Sequence, residues 1–312
     1  MWLTRTGRGA DWTRAGGTES GESMFEVAVV IPVWNGEAVL GRCLDALARQ
    51  TLPREAYQII VVDNGSSDAT REIARSYAGV ELLAEPRPGS YVARNRGIAR
   101  VRAPVIAFTD ADCEPAPDWL EQVVRAAEAN PGFGVLAGKI ELFDEIAPER
   151  EVFGDYERLF SFPQAHASRG NCATANWASE TAVLKALGGF DAALKSGGDR
   201  QMALRIREAG YPLVYVPAMV VRHPVRASRA ELVRKRQRLS GGRWDRTAGH
   251  PRLLRVLGIT AVDTVRRLRR AAITRELSLR RRLAVMLLTL QLAGVAVGEF
   301  LNLAGGRKAA RD

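Results

Sequence analysis

Between Phe25 and Asp112, apolar β-rich runs alternate four times with stretches patterned for helices, and this alternation restricts the fold more than any other feature of the chain. The runs are Phe25–Pro32, Tyr57–Val62, Val80–Ala84 and the one that opens at Val105. The helical stretches are Ala38–Gln50, one beginning near Thr70 and one carrying Arg94, Asn95 and Arg96, with a further helix near Pro117–Asn130. Leu40, Cys43, Leu44 and Leu47 recur at helical spacing and are core positions. Strands joined by crossovers of this length build a mostly parallel sheet flanked by helices, an α/β fold, with right-handed connections. At 312 residues and 46% hydrophobic composition, one large α/β domain plus an appendage is the expectation.

In such sheets ligands gather outside the carboxyl ends of the strands. The fourth run, Val-Ile-Ala-Phe-Thr-Asp-Ala-Asp over Val105–Asp112, delivers Asp110 and Asp112 to that edge, spaced to hold a hard divalent cation and, through it, a diphosphate. Equally, Asp110 starts a turn and Asp112 caps the next helix. The second strand ends in Asp63-Asn64-Gly65-Ser66-Ser67-Asp68, where Asp63 is either a hydrogen-bond acceptor for a nucleobase or a turn residue. Arg94 and Asn95 offer donors to phosphate, ribose or base, whereas Arg96 and Arg100 read as a solvated face. Neither the Gly-x-Gly-x-x-Gly fingerprint after a strand nor a P-loop is present, so nucleotide binding has to run through carboxylates and a metal.

Four ordered motifs carry a family resemblance: Val-Val-Ile-Pro-Val-Trp-Asn at 29–35, Val-Val-Asp-Asn-Gly-Ser-Ser-Asp at 61–68, Ala-Arg-Asn-Arg-Gly at 93–97 and Phe-Thr-Asp-Ala-Asp at 108–112. Over roughly Val27 to Arg226 the chain resembles the family 2 glycosyltransferases of the GT-A, Rossmann-like fold. The resemblance implies a nucleotide-sugar donor, usually linked to uridine diphosphate, bound with Mn2+ or Mg2+, and inverting transfer to an acceptor hydroxyl. It implies Pro32, Asn35 and Asp63 on the nucleotide, with Asp63 at the base, Asp110 on the ribose side and Asp112 on the metal. It also suggests Asn176, in Gly170–Trp177, beside the sugar or diphosphate; a short buried strand is the equal alternative. Asp199, at the start of a helix, matches the family's catalytic base, although Gly198 stands where many members carry a glutamate. One base suffices for an inverting displacement, and a simple helix cap is the other reading. His223, just after a further strand, is a metal ligand or diphosphate donor by its place in the order, or structural. Arg226 and the run Arg234–Arg238 either close over phosphates or form a solvated basic face. Gln237 and Arg243-Trp244 do not make Gln-x-x-Arg-Trp, which weakens a processive synthase reading.

The formal charge of +10 concentrates after Arg222. Leu254, Leu257, Ala261, Val265, Leu268 and Ala272 line one helical face with Arg255, Arg266, Arg267 and Arg270 on the other, the pattern of an interfacial helix on anionic lipid or of a soluble surface helix. Leu283–Leu303 is apolar and about long enough to cross a bilayer, interrupted by Gln291, Glu299 and Asn302. The expected organisation is therefore a disordered segment 1–23, a catalytic domain 24–226, a basic amphipathic helical region 227–282, a membrane-spanning or interfacial helix 283–303 and a basic tail 304–312. Basic residues gather on the catalytic side of the apolar helix, placing that domain on the cytoplasmic face of the membrane, with a glycan or lipid-linked acceptor. Residues 1–23 contain no secretory signal pattern, and Cys43, Cys113 and Cys172 lack metal-site or disulfide spacing. Segregation of the arginines beside apolar sequence, with few aromatics among them, argues against nucleic acid as a partner. A non-catalytic sugar-nucleotide-binding or scaffold protein on the same fold is the main rival; a glycoside hydrolase built on paired carboxylates is weaker.

Overall fold

The computed structural model describes residues 25–143, 151–162, 164–226, 228–247, 249 and 251–307; the segment 1–23 and the end of the basic tail lie outside them. Strands β1 (Val27–Val33), β2 (Tyr57–Asp63), β3 (Val80–Ala84) and β4 (Val105–Phe108) pair in parallel in the order β3-β2-β1-β4. Helices α1 (Leu40–Ala48), α2 (Thr70–Ser76) and α3 (Ser90–Arg100) make the crossovers. β1, β2 and β4 are apolar on both faces because both are covered, as a parallel sheet requires. One core lies under α1 and α4 (Trp119–Ala129), around Leu40, Leu44, Trp119 and Leu120; the other lies under α3, around Tyr91, Phe108, Trp177 and Phe190.

Beyond β4 the sheet becomes mixed. β7 (Trp177–Glu180) runs antiparallel between β4 and β6 (Val135–Phe143), β8 (Leu213–Pro224) is parallel to β6, and the two-residue β5 (Glu114–Pro115) closes the far edge antiparallel to β8. The β6–β8 register slips between Gly138 and Lys139, where Gly138 faces Val216 but Lys139 faces Val220.

α6 (Thr181–Ala186) and α7 (Gly198–Glu208) follow β7, and α5 (Glu151–Phe160) precedes it. After β8 the chain forms three helices: α8 (Arg229–Arg246), α9 (Arg252–Ile273) and α10 (Leu279–Ala304). Ser228 and Glu231 close a capping box on α8, satisfying donors that a helix start leaves unpaired. α9 and α10 form an antiparallel hairpin: Val256 meets Ala296, Phe300 and Leu303 at one end, and Ala271 meets Val285 and Leu288 at the other. Tyr156 and Leu159 of α5 and Leu232 of α8 join the second cluster, so the hairpin is packed onto the domain.

Candidate active site

Pairing between β5 and β8 assembles the first part of the site. Glu114 lies opposite Arg222, so Asp112, two residues before β5, comes beside His223, the residue after Arg222. Nε2 of His223 stands 3.6 Å from Oδ2 of Asp112. Its Nδ1 is 2.6 Å from the Pro224 carbonyl, an acceptor only, so Nδ1–H donates there and Nε2 is the nitrogen that faces Asp112. The ring is 3% exposed and packs on Phe162 with centroids 4.7 Å apart. A ring oriented through Nδ1–H, with Nε2 facing a carboxylate, is the arrangement a metal-binding imidazole needs. Cys113 lies in the same cluster, but burial, helped by Asp112 and Asp110, pushes its thiol well up, and a protonated thiol is a poor ligand. The residues present therefore fit a hard divalent ion on Asp112 oxygen and His223 nitrogen.

Arg94, on the buried face of α3, donates from Nη2 to Oδ1 of Asp110 at 2.6 Å, while its Nε is buried without a partner among the described residues. The expected ribose-side carboxylate is thus paired with Arg94, a residue expected to donate to phosphate, ribose or base. Both line a cleft of about 700 Å3 together with Pro32, Trp34, Asp112, Asp199 and His223. Trp34 is half exposed at that cleft.

Asp199 enters from the first turn of α7. Its Oδ2 accepts from the Thr174 amide at 3.2 Å, and its Oδ1 has no hydrogen-bond partner among the described residues. Tyr91 lies beside it: burial pushes the phenol up, and the Asp199 carboxylate adds to that shift. The Tyr91 hydroxyl accepts from the Gly198 amide at 2.9 Å. A Cβ at position 198 would stand 2.7 Å from the Tyr91 ring, which gives the physical reason for glycine where the resemblance suggests glutamate.

Four expected site residues have other work. Asn176 is fully buried; its Oδ1 accepts from Trp119 Nε1 at 2.9 Å, and its Nδ2 donates to the carbonyls of Lys139 and Met219 at 2.8 and 2.9 Å. Those carbonyls flank the register slip between β6 and β8, so Asn176 satisfies groups the ladder leaves unpaired. Asn95 exchanges hydrogen bonds with the Phe190 backbone, donating to its carbonyl at 2.7 Å and accepting from its amide at 2.8 Å. Asn35, at φ 47°, accepts from the Ser67 amide at 2.9 Å and tethers the turn after β1 to the loop after β2. Asp63 is 1% exposed, accepting from the Ser66 amide at 3.1 Å and from Arg71 Nε at 2.6 Å. Although burial pushes its carboxyl up, these donors hold it below the usual range. None of the four lines the cleft, where Asn64 follows Asp63 instead.

α8 adds a wall that the expected boundary at 226 would have left out. Lys235, Arg238 and Leu239 line the cleft along with Arg226. Glu157 of α5, fully buried, accepts from Lys235 Nζ at 2.5 Å and from Arg226 Nη1 and backbone amide at 3.1 and 3.0 Å. Burial works against its ionisation, but the Lys235 and Arg226 charges prevail and hold the carboxyl at about 2. Burial and the Arg226 charge lower Lys235 to about 8, against the pull of Glu157. Gly242 lets α8 press on the loop before α7, since a Cβ there would come 2.9 Å from the Ser196 carbonyl oxygen. Arg246 donates to that same carbonyl. The sequence marks the basic run but not Glu157, which sits among ordinary amphipathic positions of α5.

The family model for Glycosyl transferase family 2 matches residues 28–174. Glycosyltransferase AglE of Haloferax volcanii is 34% identical over 222 residues, covering 69% of this chain and 72% of that protein. The chain is a family 2 glycosyltransferase. The pre-mycofactocin glycosyltransferase of Mycobacterium tuberculosis is 27% identical over 74% of this chain, which spans half of that relative's length. Among solved structures, the mannosyltransferase PcManGT from Pyrobaculum calidifontis in complex with GDP-Man and Mn2+ has a TM-score of 0.58 at 20% identity, covering 87% of this chain and 86% of the other. TarS 1–349 of S. aureus in complex with UDP has a TM-score of 0.54 at 15% identity, covering 91% and 92%. These two likenesses establish the shared GT-A fold.

Proposed function

We propose that this glycosyltransferase moves a sugar, with inversion, from a nucleoside-diphosphate donor, uridine-linked as the family resemblance suggests, to the hydroxyl of a glycan or lipid-linked acceptor at the cytoplasmic face of the membrane. The observation that carries the reading is the convergence of Asp112–His223, Asp110–Arg94 and Asp199 on one cleft. Fold neighbours that bind GDP-Man with Mn2+ or UDP support a nucleotide-sugar donor.

Asp199 accepts the proton of the attacking hydroxyl as its oxygen bonds to the anomeric carbon and the bond to the diphosphate breaks. The Thr174 amide and the α7 terminus orient that carboxylate. Asp112 and His223 would hold Mn2+ or Mg2+, which when bound neutralises charge on the departing diphosphate. Arg226, Lys235 and Arg238 bring positive charge to the same cleft, and Glu157 fixes two of them in place. The Trp34 indole offers a flat apolar surface on which a base stacks.

Calorimetric titration with uridine, guanosine, adenosine and thymidine diphosphates, with and without Mn2+, tests the donor site. Metal-dependent binding of one nucleotide, lost in Asp112→Ala, is expected; a folded protein that binds none of them under either condition would overturn the reading.

A further inference from the structure

α10 is apolar on two opposite faces, and among the described residues only one of them is packed against the rest of the protein. Val285, Leu288, Leu292, Ala296, Phe300 and Leu303 form a buried stripe against α5, α8 and α9. Turned away from it, Leu283, Leu287, Leu290, Val297 and Leu301 recur every three to seven residues and are exposed. From Leu283 to Gly298 the helix carries no charged residue, a length of about 23 Å at 1.5 Å per residue. The neighbouring α9 exposes Leu254, Ile259, Val262, Val265 and Ile273. An exposed apolar surface on this scale marks an interaction site.

We infer that the α9–α10 hairpin lies in the plane of an anionic phospholipid bilayer, with the exposed apolar face of α10 in the acyl boundary and the exposed arginines of α9 at the head groups, and does not cross it. This deepens the membrane side of the function proposed above. Charge complementarity identifies the occupant: Arg266, Arg269, Arg270 and Arg280 are exposed on the same two helices, where lipid phosphates would meet them. A second copy of the chain would instead bring another set of arginines to the same surface. Spanning is opposed by the packing. α10 is seated along its buried stripe on α8, which carries Arg229, Arg234, Lys235, Arg236, Arg238, Arg243 and Arg246, and Arg281 at its start donates to buried Asp155 of α5 at 2.7 Å. A helix threaded through the bilayer would either drag those charges into hydrocarbon or abandon half of its packing.

The test is flotation of the full-length protein with vesicles of phosphatidylcholine alone or mixed with phosphatidylglycerol. Binding at least about tenfold stronger to the anionic vesicles, weakened by salt, is expected. Leu283→Gln/Leu287→Gln/Leu290→Gln should abolish it while nucleotide binding and circular dichroism stay unchanged. A bimane label on Leu290→Cys, an exposed site, should be quenched more by nitroxides near the head groups than by nitroxides deep in the acyl chains. Stronger deep quenching would mean a spanning helix and overturn the inference, as would vesicle-independent dimers in light scattering that the triple variant disperses. Failure to float with nucleotide binding intact would sink the docking surface and leave the proposed chemistry standing.

Discussion

His223 faces Asp112 across the β5–β8 pairing with its Nε2 3.6 Å from Oδ2, because Nδ1–H donates to the Pro224 carbonyl and so orients the ring. Neither residue is near the other in sequence; a two-residue strand sets their register. Asp112→Asn and His223→Gln should each weaken Mn2+-dependent nucleoside-diphosphate binding by at least about tenfold while leaving metal-free binding unchanged. Calorimetry at several Mn2+ concentrations checks this, and equal affinities with and without metal in wild type would contradict it.

Asp199→Asn keeps the shape of the side chain and removes its ability to take a proton. We expect kcat to fall about 10²–10⁴-fold with donor affinity within about twofold of wild type. A loss confined to KM would assign Asp199 to binding instead.

Glu157 ties α5 to Arg226 and α8, and its carboxyl is held near 2 against an ordinary value of 4.5. A carboxyl lowered on folding contributes stability above its unfolded value, and that contribution is lost as pH falls from about 4.5 to about 2. Glu157→Ala should cost about 3–5 kcal/mol, because it leaves two cations near a buried, unpaired position. Chemical denaturation at pH 7 and at pH 3 separates the two: the variant should be less stable than wild type at pH 7, with the gap narrowing at pH 3.

Lys235 at about 8 predicts that donor affinity, where it depends on the ammonium, declines as pH rises above that value. Lys235→Arg should keep the affinity flat to about pH 10, since a guanidinium stays protonated. A wild-type decline that persists unchanged in Lys235→Arg would point to another group.

Trp34 is 51% exposed beside Pro32 in the cleft. Replacing it with alanine should weaken nucleotide binding roughly tenfold, the scale of one lost base–aromatic stack. If the free nucleoside and the free diphosphate are both titrated, only the nucleoside should respond.

Strands β1 to β4, their crossovers and the carboxylates at their ends were legible because each is a local pattern: an apolar run, a turn, an amphipathic repeat. The asparagines show where local pattern stops. Asn35, Asn95 and Asn176 stand in the right order for ligand contacts, yet an amide serves a ligand and a stray backbone carbonyl equally well. The choice fell on long-range partners, such as the carbonyls on either side of the β6–β8 slip that Asn176 satisfies. The insertion of β7 between β4 and β6 is likewise invisible in its four residues, Trp177–Glu180, since only pairing decides direction. The basic run on α8 read as a phosphate clamp or as a solvated face; Glu157, some 80 residues upstream of Lys235, is what turns that side chain into the cleft wall.

The contact between Tyr91 and Gly198 links two positions that lie far apart in the chain. A second carboxylate beside Asp199 is barred by the ring at 91 rather than by anything in α7, so the two positions should vary as a pair: a bulky aromatic with glycine, or a small residue with glutamate. Gly198→Glu alone should misfold the loop before α7, and Tyr91→Ala alone should leave a hole beneath Asp199. Combined, each defect supplies what the other lacks, and swapping this single pair would convert one version of the active-site floor into the other.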